Sequence, residues 1–213
     1  MKQLQPDLWQ SSRYSSGELN TYAYLVKRPK AGNILFYNTG NEADLAAIDK
    51  LGGIEYQLLS HRDEASPSLA RIKERFGNKL GCSALEVPSI GAHTEVDLTL
   101  KPGDQQLGDV QVIETPGHTD GSVCFFYTSP HGKSYLFTGD TIFPWDGKLS
   151  TLAFPQNGGS VTSLAASLNR LREFAPDIVM SSAFVGDVAE MKFTGTEWIQ
   201  AIDDAISDLQ VAR

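Results

Sequence analysis

Residues 114–122 read ETPGHTDGS, and the strand-like run DVQVIET leads into them. Pro116-Gly117 breaks that run as a turn, so His118 is carried off the end of a strand toward a rim. The segment YLFTGDTIF (135–143) repeats the arrangement: an apolar strand ends at Gly139, where glycine permits close backbone approach, and Asp140 projects a carboxylate. A third copy is YQLLSHRDEASPS (56–68), with His61 and Asp63 just past the apolar residues. Three strand ends thus deliver metal-type side chains.

Working outward, NTYAYLV (20–26) and NILFYNTG (33–40) form a hairpin about the turn-rich KRPKAGN. EADLAAIDKLG (42–52) follows with helical spacing of Leu45, Ile48 and Leu51 and ends at Gly52. In SPSLARIKERFG (66–77), Ser66-Pro67 is a helix start and Leu69, Ile72 and Phe76 share one stripe. The segment from Leu98 to Asp140 is a strand meander punctuated at Pro102-Gly103, Pro116-Gly117 and Pro130-His131-Gly132. Val161, Leu164, Leu168, Leu171 and Phe174 then repeat as a helix, and DIVMSSAFVG (177–186) reads as the last strand. The tail is a helix opened by a Thr194/Glu197 capping box, with Trp198, Ile202, Ile206 and Leu209 on its buried face. Helices after blocks of strands in both halves, with no long linker, predict two sheets packed between helix layers in one α+β domain spanning 1–213.

The 213 residues are 41% apolar, enough for a sizeable core. A net charge of −8, from 18 Lys and Arg against 26 Asp and Glu with no basic run, argues against nucleic acid or an anionic membrane as partner. MKQLQPDLWQ lacks the apolar core of a signal peptide, and the expected location is cytoplasmic. Cys82 and Cys124 sit apart from metal-ligand spacing; Cys124, inside VCFFY, reads as a small hydrophobe. Of four histidines, His93 and His131 are expected to face solvent, leaving His61 and His118 for chemistry.

TPGHTDGS followed after a hairpin by FTGDTIF resembles the metallo-β-lactamase superfamily, and SHRDEA falls where that family has its HxHxDH motif. The resemblance runs from YAYLV to SSAFVG and implies a four-layer αββα sandwich with a metal centre at one edge of the sheets. The sequence departs from the pattern in a consistent way. His61 keeps the first histidine, Asp63 replaces the second, and Ala65-Ser66, or Pro67-Ser68 in the longer spacing, stand where an Asp-His pair belongs. Asn38 replaces a supporting Asp, and no histidine appears near Ala183. The second ion of the family pair therefore lacks the Asp-His pair and the last histidine it needs, so the resemblance implies no two-ion centre. His61, Asp63 and His118 match the first ion's set, with Asp140 in the bridging position.

Two imidazoles with one or two carboxylates suit one divalent ion, Zn²⁺ first, with Fe²⁺ or Mn²⁺ as alternatives. The expected function is a metal-dependent hydrolase of a small-molecule substrate, with Asp140 and Asp63 as candidate catalytic carboxylates. Two other readings stand beside it: an inactive descendant whose cleft binds a small molecule or a protein partner, and an iron-dependent oxygenase. Arg62, with Lys or Arg elsewhere, pairing with Asp63 and Asp140 would make those carboxylates structural rather than ligating. The loop PWDGKLSTLAFPQNGG, with Trp145 and Phe154, is a candidate wall for the pocket.

Overall fold

Alternation along four strands sets the architecture. In β10 (Val110–Glu114), β11 (Val123–Thr128), β12 (Ser134–Gly139) and β15 (Ile178–Ser181), the residues Val112, Phe125, Phe137 and Met180 join one core while Ile113, Cys124, Leu136 and Val179 join another. Successive side chains of a strand point to opposite faces, so this sheet is buried on both sides. The computed structural model describes residues 1–103 and 107–211.

The sheet has strand order β10-β11-β12-β15-β17, with β17 at Glu190–Lys192; only the β12–β15 pair is parallel. One face packs against a seven-stranded sheet of β1 (Lys2–Gln5), β2 (Leu8–Gln10), β5 (Tyr24–Val26), β6 (Ile34–Phe36), β7 (Tyr56–Leu58), β8 (Lys79–Ser83) and β9 (Leu98–Leu100), in that order. Phe36 of β6 stacks on Phe137 of β12 with ring centroids 3.8 Å apart, and Tyr24 and Phe125 flank the pair. Aromatic packing of this kind adds about 0.5–1.5 kcal/mol per pair beyond burial.

The outer layers are helical. Crossovers through α1 (Glu42–Lys50) and α2 (Ser68–Phe76) make β6, β7 and β8 parallel, which a tight hairpin cannot do. Leu69 of α2 packs with Leu59, Leu80 and Ile90, the last residue of the short α3 (Val87–Ile90). On the opposite side α4 (Val161–Leu171) and α5 (Gly195–Val211) cover the five-stranded sheet with Leu164, Leu168, Trp198 and Ile202. The result is the expected αββα order. The capping box forms as predicted, Glu197 Oε2 accepting from Thr194 N–H and Oγ1 at 2.8 Å. His93 and His131 are exposed, and both thiols are free and buried, their pKa values pushed up to about 12 by desolvation.

Two expectations need correction. A third sheet, β14 (Lys148–Ser150), β13 (Phe143–Trp145), β16 (Ala183–Val185), β4 (Leu19–Thr21) and β3 (Tyr14–Ser16), accompanies the two large ones. DIVMSSAFVG is accordingly two strands in two sheets: the chain leaves the five-stranded sheet after Ser181 and pairs with β4 and β13 from Ala183, and β17 comes later still. Among the described residues no helix is long and apolar enough to cross a membrane.

Candidate metal centre

The strand ends meet as their sequences anticipate. His61 lies in extended backbone (φ −163°, ψ 171°) before a single 3-10 turn, Arg62–Glu64. Gly117 (φ +149°) turns the chain after β10, and a Cβ there would lie 2.4 Å from the Leu164 Cα of α4. Gly139 (φ +52°) ends β12, where a Cβ would lie 2.0 Å from Ser60 Oγ. Only glycine lets these turns approach so closely.

The rings of His61 and His118 stand perpendicular at 4.8 Å. Each has its outer nitrogen engaged. His118 Nδ1 lies 2.8 Å from the Leu152 carbonyl, which can only accept, so Nδ1 carries the proton. His61 Nδ1 lies 2.9 Å from Ser60 Oγ and 3.2 Å from Glu64 Oε1. Ser60 directs its hydroxyl to Glu64 Oε1 and its N–H to Oε2 at 2.8 Å, leaving the imidazole to act as donor. Both inner nitrogens, His61 Nε2 and His118 Nε2, are buried and have no hydrogen-bond partner among the described residues. Two buried imidazole nitrogens without partners face one space, an arrangement that suits a water or a cation between them.

The carboxylates are divided in the same way. Asp140 Oδ1 accepts from Ser182 Oγ at 2.5 Å and Ala183 N–H at 3.1 Å, while Oδ2 faces His61 Nε2 at 3.5 Å and His118 Nε2 at 3.8 Å. Asp63 Oδ2 lies 3.7 Å from His118 Nε2, and Asn157 donates to this half-exposed carboxylate at 3.3 Å. These separations are too long for hydrogen bonds. Donor atoms sharing a tetrahedral ion at about 2.1 Å stand roughly 3.4 Å apart. Donor atoms of His61, Asp63 and His118 all lie within 4.8 Å of one another. The donor set is of a kind that could hold a divalent cation. Burial disfavours charge on both His61 and Asp140, yet each stabilises the other's charged form, leaving His61 well above and Asp140 well below their ordinary ranges. The neighbouring His118 and His61 likewise lower Asp63.

The segment where the Asp-His pair would stand is occupied differently. Asn38 Nδ2 donates to Glu64 O at 2.9 Å and Ser66 Oγ at 3.0 Å, and its Oδ1 accepts from Ser68 Oγ at 2.9 Å. Ser66 is therefore not the simple helix cap expected from Ser66-Pro67: α2 begins at Ser68, and the Ser66 hydroxyl reaches the Ser68 N–H only at 3.4 Å. Arg62 pairs with neither Asp63 nor Asp140. It binds Glu86 Oε2 at 2.5 Å and Asp120, tying the loop of His61 to the turn of His118 and leaving the site carboxylates to the histidines.

A cavity of about 710 Å³ opens beside His61, Asp63 and Asp140. The aromatic loop residues wall it less than expected: Phe154 packs edge-on against His118 at 4.9 Å, Trp145 is largely exposed on β13, and neither lines this cavity. Its outer wall is the β3–β4 hairpin, with Tyr14 68% exposed and Leu19 41% exposed. Sequence reading missed this wall, along with Ser60 and Glu64. Its signal is a pair of apolar residues flanking a Ser-Ser-Gly turn in RYSSGELNT, too short to show periodicity.

The chain resembles known proteins. The chain is 33% identical over 155 residues to a hydroxyacylglutathione hydrolase of Mesorhizobium japonicum, covering 69% of this chain and 58% of that one. It is 38% identical over 131 residues to a hydroxyacylglutathione hydrolase of Rhizobium etli, covering 58% and 48%. The chain thus spans about half the length of the curated relatives it matches. A solved metallo-beta-lactamase from Pontibacter korlensis superposes with a TM-score of 0.73 at 17% identity, covering 98% of this chain and 97% of that one, which establishes the fold. The family model of the metallo-beta-lactamase superfamily matches residues 49–182, the stretch that carries every strand end described above, and the chain belongs to that superfamily.

Proposed function

We propose that the protein is a metal-dependent hydrolase of small acyl substrates, working from one divalent ion held by His61, Asp63 and His118 with Asp140 as a fourth donor. The observation that carries this reading is the pair of buried, unpartnered Nε2 atoms, each opposite an Nδ1 fixed by a hydrogen bond. Zn²⁺ suits the donors best, with Fe²⁺ or Mn²⁺ next. A cation bound there supplies Lewis-acid chemistry, activating water near neutral pH and polarising a carbonyl. Asp140, held by Ser182 and Ala183, keeps Oδ2 on the inner side, where it orients an incoming water. Asp63, open to the cavity, accepts that water's proton and returns it to the departing alkoxide or thiolate. Water adds to the acyl carbon, the C–O or C–S bond breaks, and the acid and the alcohol or thiol leave.

The names of the relatives make hydroxyacyl thioesters the first class to assay. The free buried thiols accord with a reducing compartment, and we read the chain as a single-domain cytoplasmic enzyme. A second reading, a cleft that binds without turnover, is favoured by one observation, the polar lattice of Asn38, Ser66 and Ser68 that fills the second ion's place.

Elemental analysis of protein purified without added metal or chelator, beside a His118→Ala variant, tests the proposal. About one equivalent in the parent, lost in the variant, is expected, with thioester or ester hydrolysis that a chelator abolishes and the ion restores. Metal content below one equivalent that His118→Ala does not alter, and that dialysis against Zn²⁺, Fe²⁺ or Mn²⁺ does not raise, overturns it. One tightly held equivalent without turnover of any acyl substrate favours the binding cleft.

A further inference from the structure

One carboxylate lies behind both ligand-bearing turns. Glu86, the residue just before α3, is fully buried, and its two oxygens serve different partners. Oε2 accepts from Arg62 Nε at 2.5 Å, and Oε1 accepts from the buried Thr119 hydroxyl at 2.6 Å. Arg62 stands between His61 and Asp63, and Thr119 directly follows His118. Each arm of Glu86 therefore holds a residue joined through the main chain to a candidate ligand.

The surroundings leave this carboxylate little freedom. The Glu86 N–H donates to Ser83 O at 3.1 Å and its carbonyl accepts from Ile90 N–H at 3.0 Å, so its backbone is tied to both β8 and α3. Ser83 Oγ donates to Gly121 O at 2.5 Å, and a Cβ at Gly121 would lie 2.6 Å from Glu86 Oε1. The turn of His118 thus lies flat against the carboxylate. Ser122 Oγ accepts from the Thr119 N–H at 3.1 Å and lies 2.8 Å from Thr119 Oγ1, which holds that hydroxyl in place for Glu86. On the other arm, Arg62 also binds Asp120, closing a ring that includes both turns. A buried ion pair adds little net stability over a well-packed apolar pair, so stability alone does not account for a charge at this place. What a doubly bonded carboxylate adds is a fixed spacing between its two donors.

We propose that Glu86 is a positioning residue for the metal centre: its carboxylate sets the spacing between the loop of His61 and Asp63 and the turn of His118. It acts through Arg62 and Thr119, one residue removed from the ligands on either side. Donor atoms that must share one ion need their separation held to a few tenths of an ångström, and three ligands on two separate loops have no other common anchor so close in the chain. The role toward an ion rests on the single-ion hydrolase reading; the coupling of the two turns stands on its own geometry.

Two measurements on the full chain separate the claims. The first titrates metal-free protein with Co²⁺, whose visible absorption bands report ligand geometry. Glu86→Gln keeps the bulk but removes the charge facing Arg62, and Thr119→Val keeps the shape but removes the hydroxyl. Each should weaken Co²⁺ binding about tenfold and alter the bands. The double variant should lose less than the product of the two, because both break one clamp. Ile202→Ala, a cavity in the distant α5 layer, lowers stability by another route and should leave affinity and bands as in the parent. The second measurement follows the imidazole ¹⁵N resonances of His61 and His118 without metal, and both rings should shift in Glu86→Gln and Thr119→Val but not in Ile202→Ala. Parent-like affinity and bands in both clamp variants, or an equal loss in Ile202→Ala, overturn the positioning role and leave the hydrolase reading intact. If the parent takes up no Co²⁺, the hydrolase reading fails and the rings decide: shifts in both keep the coupling of the turns, and unmoved rings overturn it.

Discussion

Two neighbouring groups at this edge of the sheets are built on opposite plans. His61 and His118 present buried inner nitrogens that nothing among the described residues satisfies, whereas Asn38, Ser66 and Ser68 satisfy one another almost completely. Unmet donors and acceptors in a buried place are costly and persist where a ligand repays them; a closed lattice needs none. The contrast teaches which group of side chains asks for a ligand and which is complete without one.

Removing an unsatisfied atom should do the most damage to function. His61→Ala is expected to cut hydrolysis at least about a thousandfold, beyond the 10–100-fold typical of outer-sphere changes, while the metal-free protein still unfolds cooperatively. A smaller loss would place the ion elsewhere. Glu64→Gln keeps the shape behind His61 but removes the charge, and should weaken metal affinity about 10–100-fold in chelator competition, with the melting temperature of the metal-free form little changed. Unaltered affinity would mean that Glu64 serves only the Ser60 turn.

The satisfied half should respond in stability instead. Asn38→Asp loses both donated bonds, to Glu64 O and Ser66 Oγ, and should cost about 2 kcal/mol at neutral pH in urea unfolding. If it costs nothing, the lattice is not closed and the contrast fails.

The smallest effect sharpens the comparison through pH. His61 is raised in the folded, metal-free protein, so its contribution is fully present below the unfolded histidine value of about 6.5 and is lost as pH rises through the higher folded value. Asp140 is lowered, so its contribution is present above about 3.9 and is lost only on strong acidification. Metal-free protein should therefore lose stability upward from about pH 6.5, by no more than about 1.4 kcal/mol per pH unit. Metal-loaded protein should not, because the ion and the proton compete for Nε2. Thermal melts across that range with and without Zn²⁺ read the difference.

What could be read from one dimension follows from range. The alternation of Val110, Val112, Val123 and Phe125 and the stripe of Leu164, Leu168 and Leu171 are local periodicities, so the layers are visible without coordinates. The strand-end residues are legible because Pro-Gly and Gly-Asp punctuation marks where a strand stops. Sheet membership is not local: nothing in MSSAFVG marks Ser182 as the point where the chain changes sheets, because Ala183–Val185 is an ordinary strand whose partners lie at Leu19–Thr21 and Trp145. The Arg62 bridge to Glu86 and Asp120 is hidden for the same reason, since its partners lie 24 and 58 residues away.

Tyr37 sits in left-handed backbone (φ +68°) at the end of β6, fully buried. Its hydroxyl accepts from the Gly139 N–H at 2.8 Å and donates to Met180 O at 2.9 Å, and burial holds its pKa far above the ordinary tyrosine range. One phenol thus clasps the two large sheets at the residue preceding Asp140. Slippage between the layers has to stretch this clasp and carry Asp140 away from the histidines, so the sandwich core and the ligand set form a single elastic unit. Loading the ion should accordingly slow amide exchange at Gly139 and across β12, well behind any atom the ion touches.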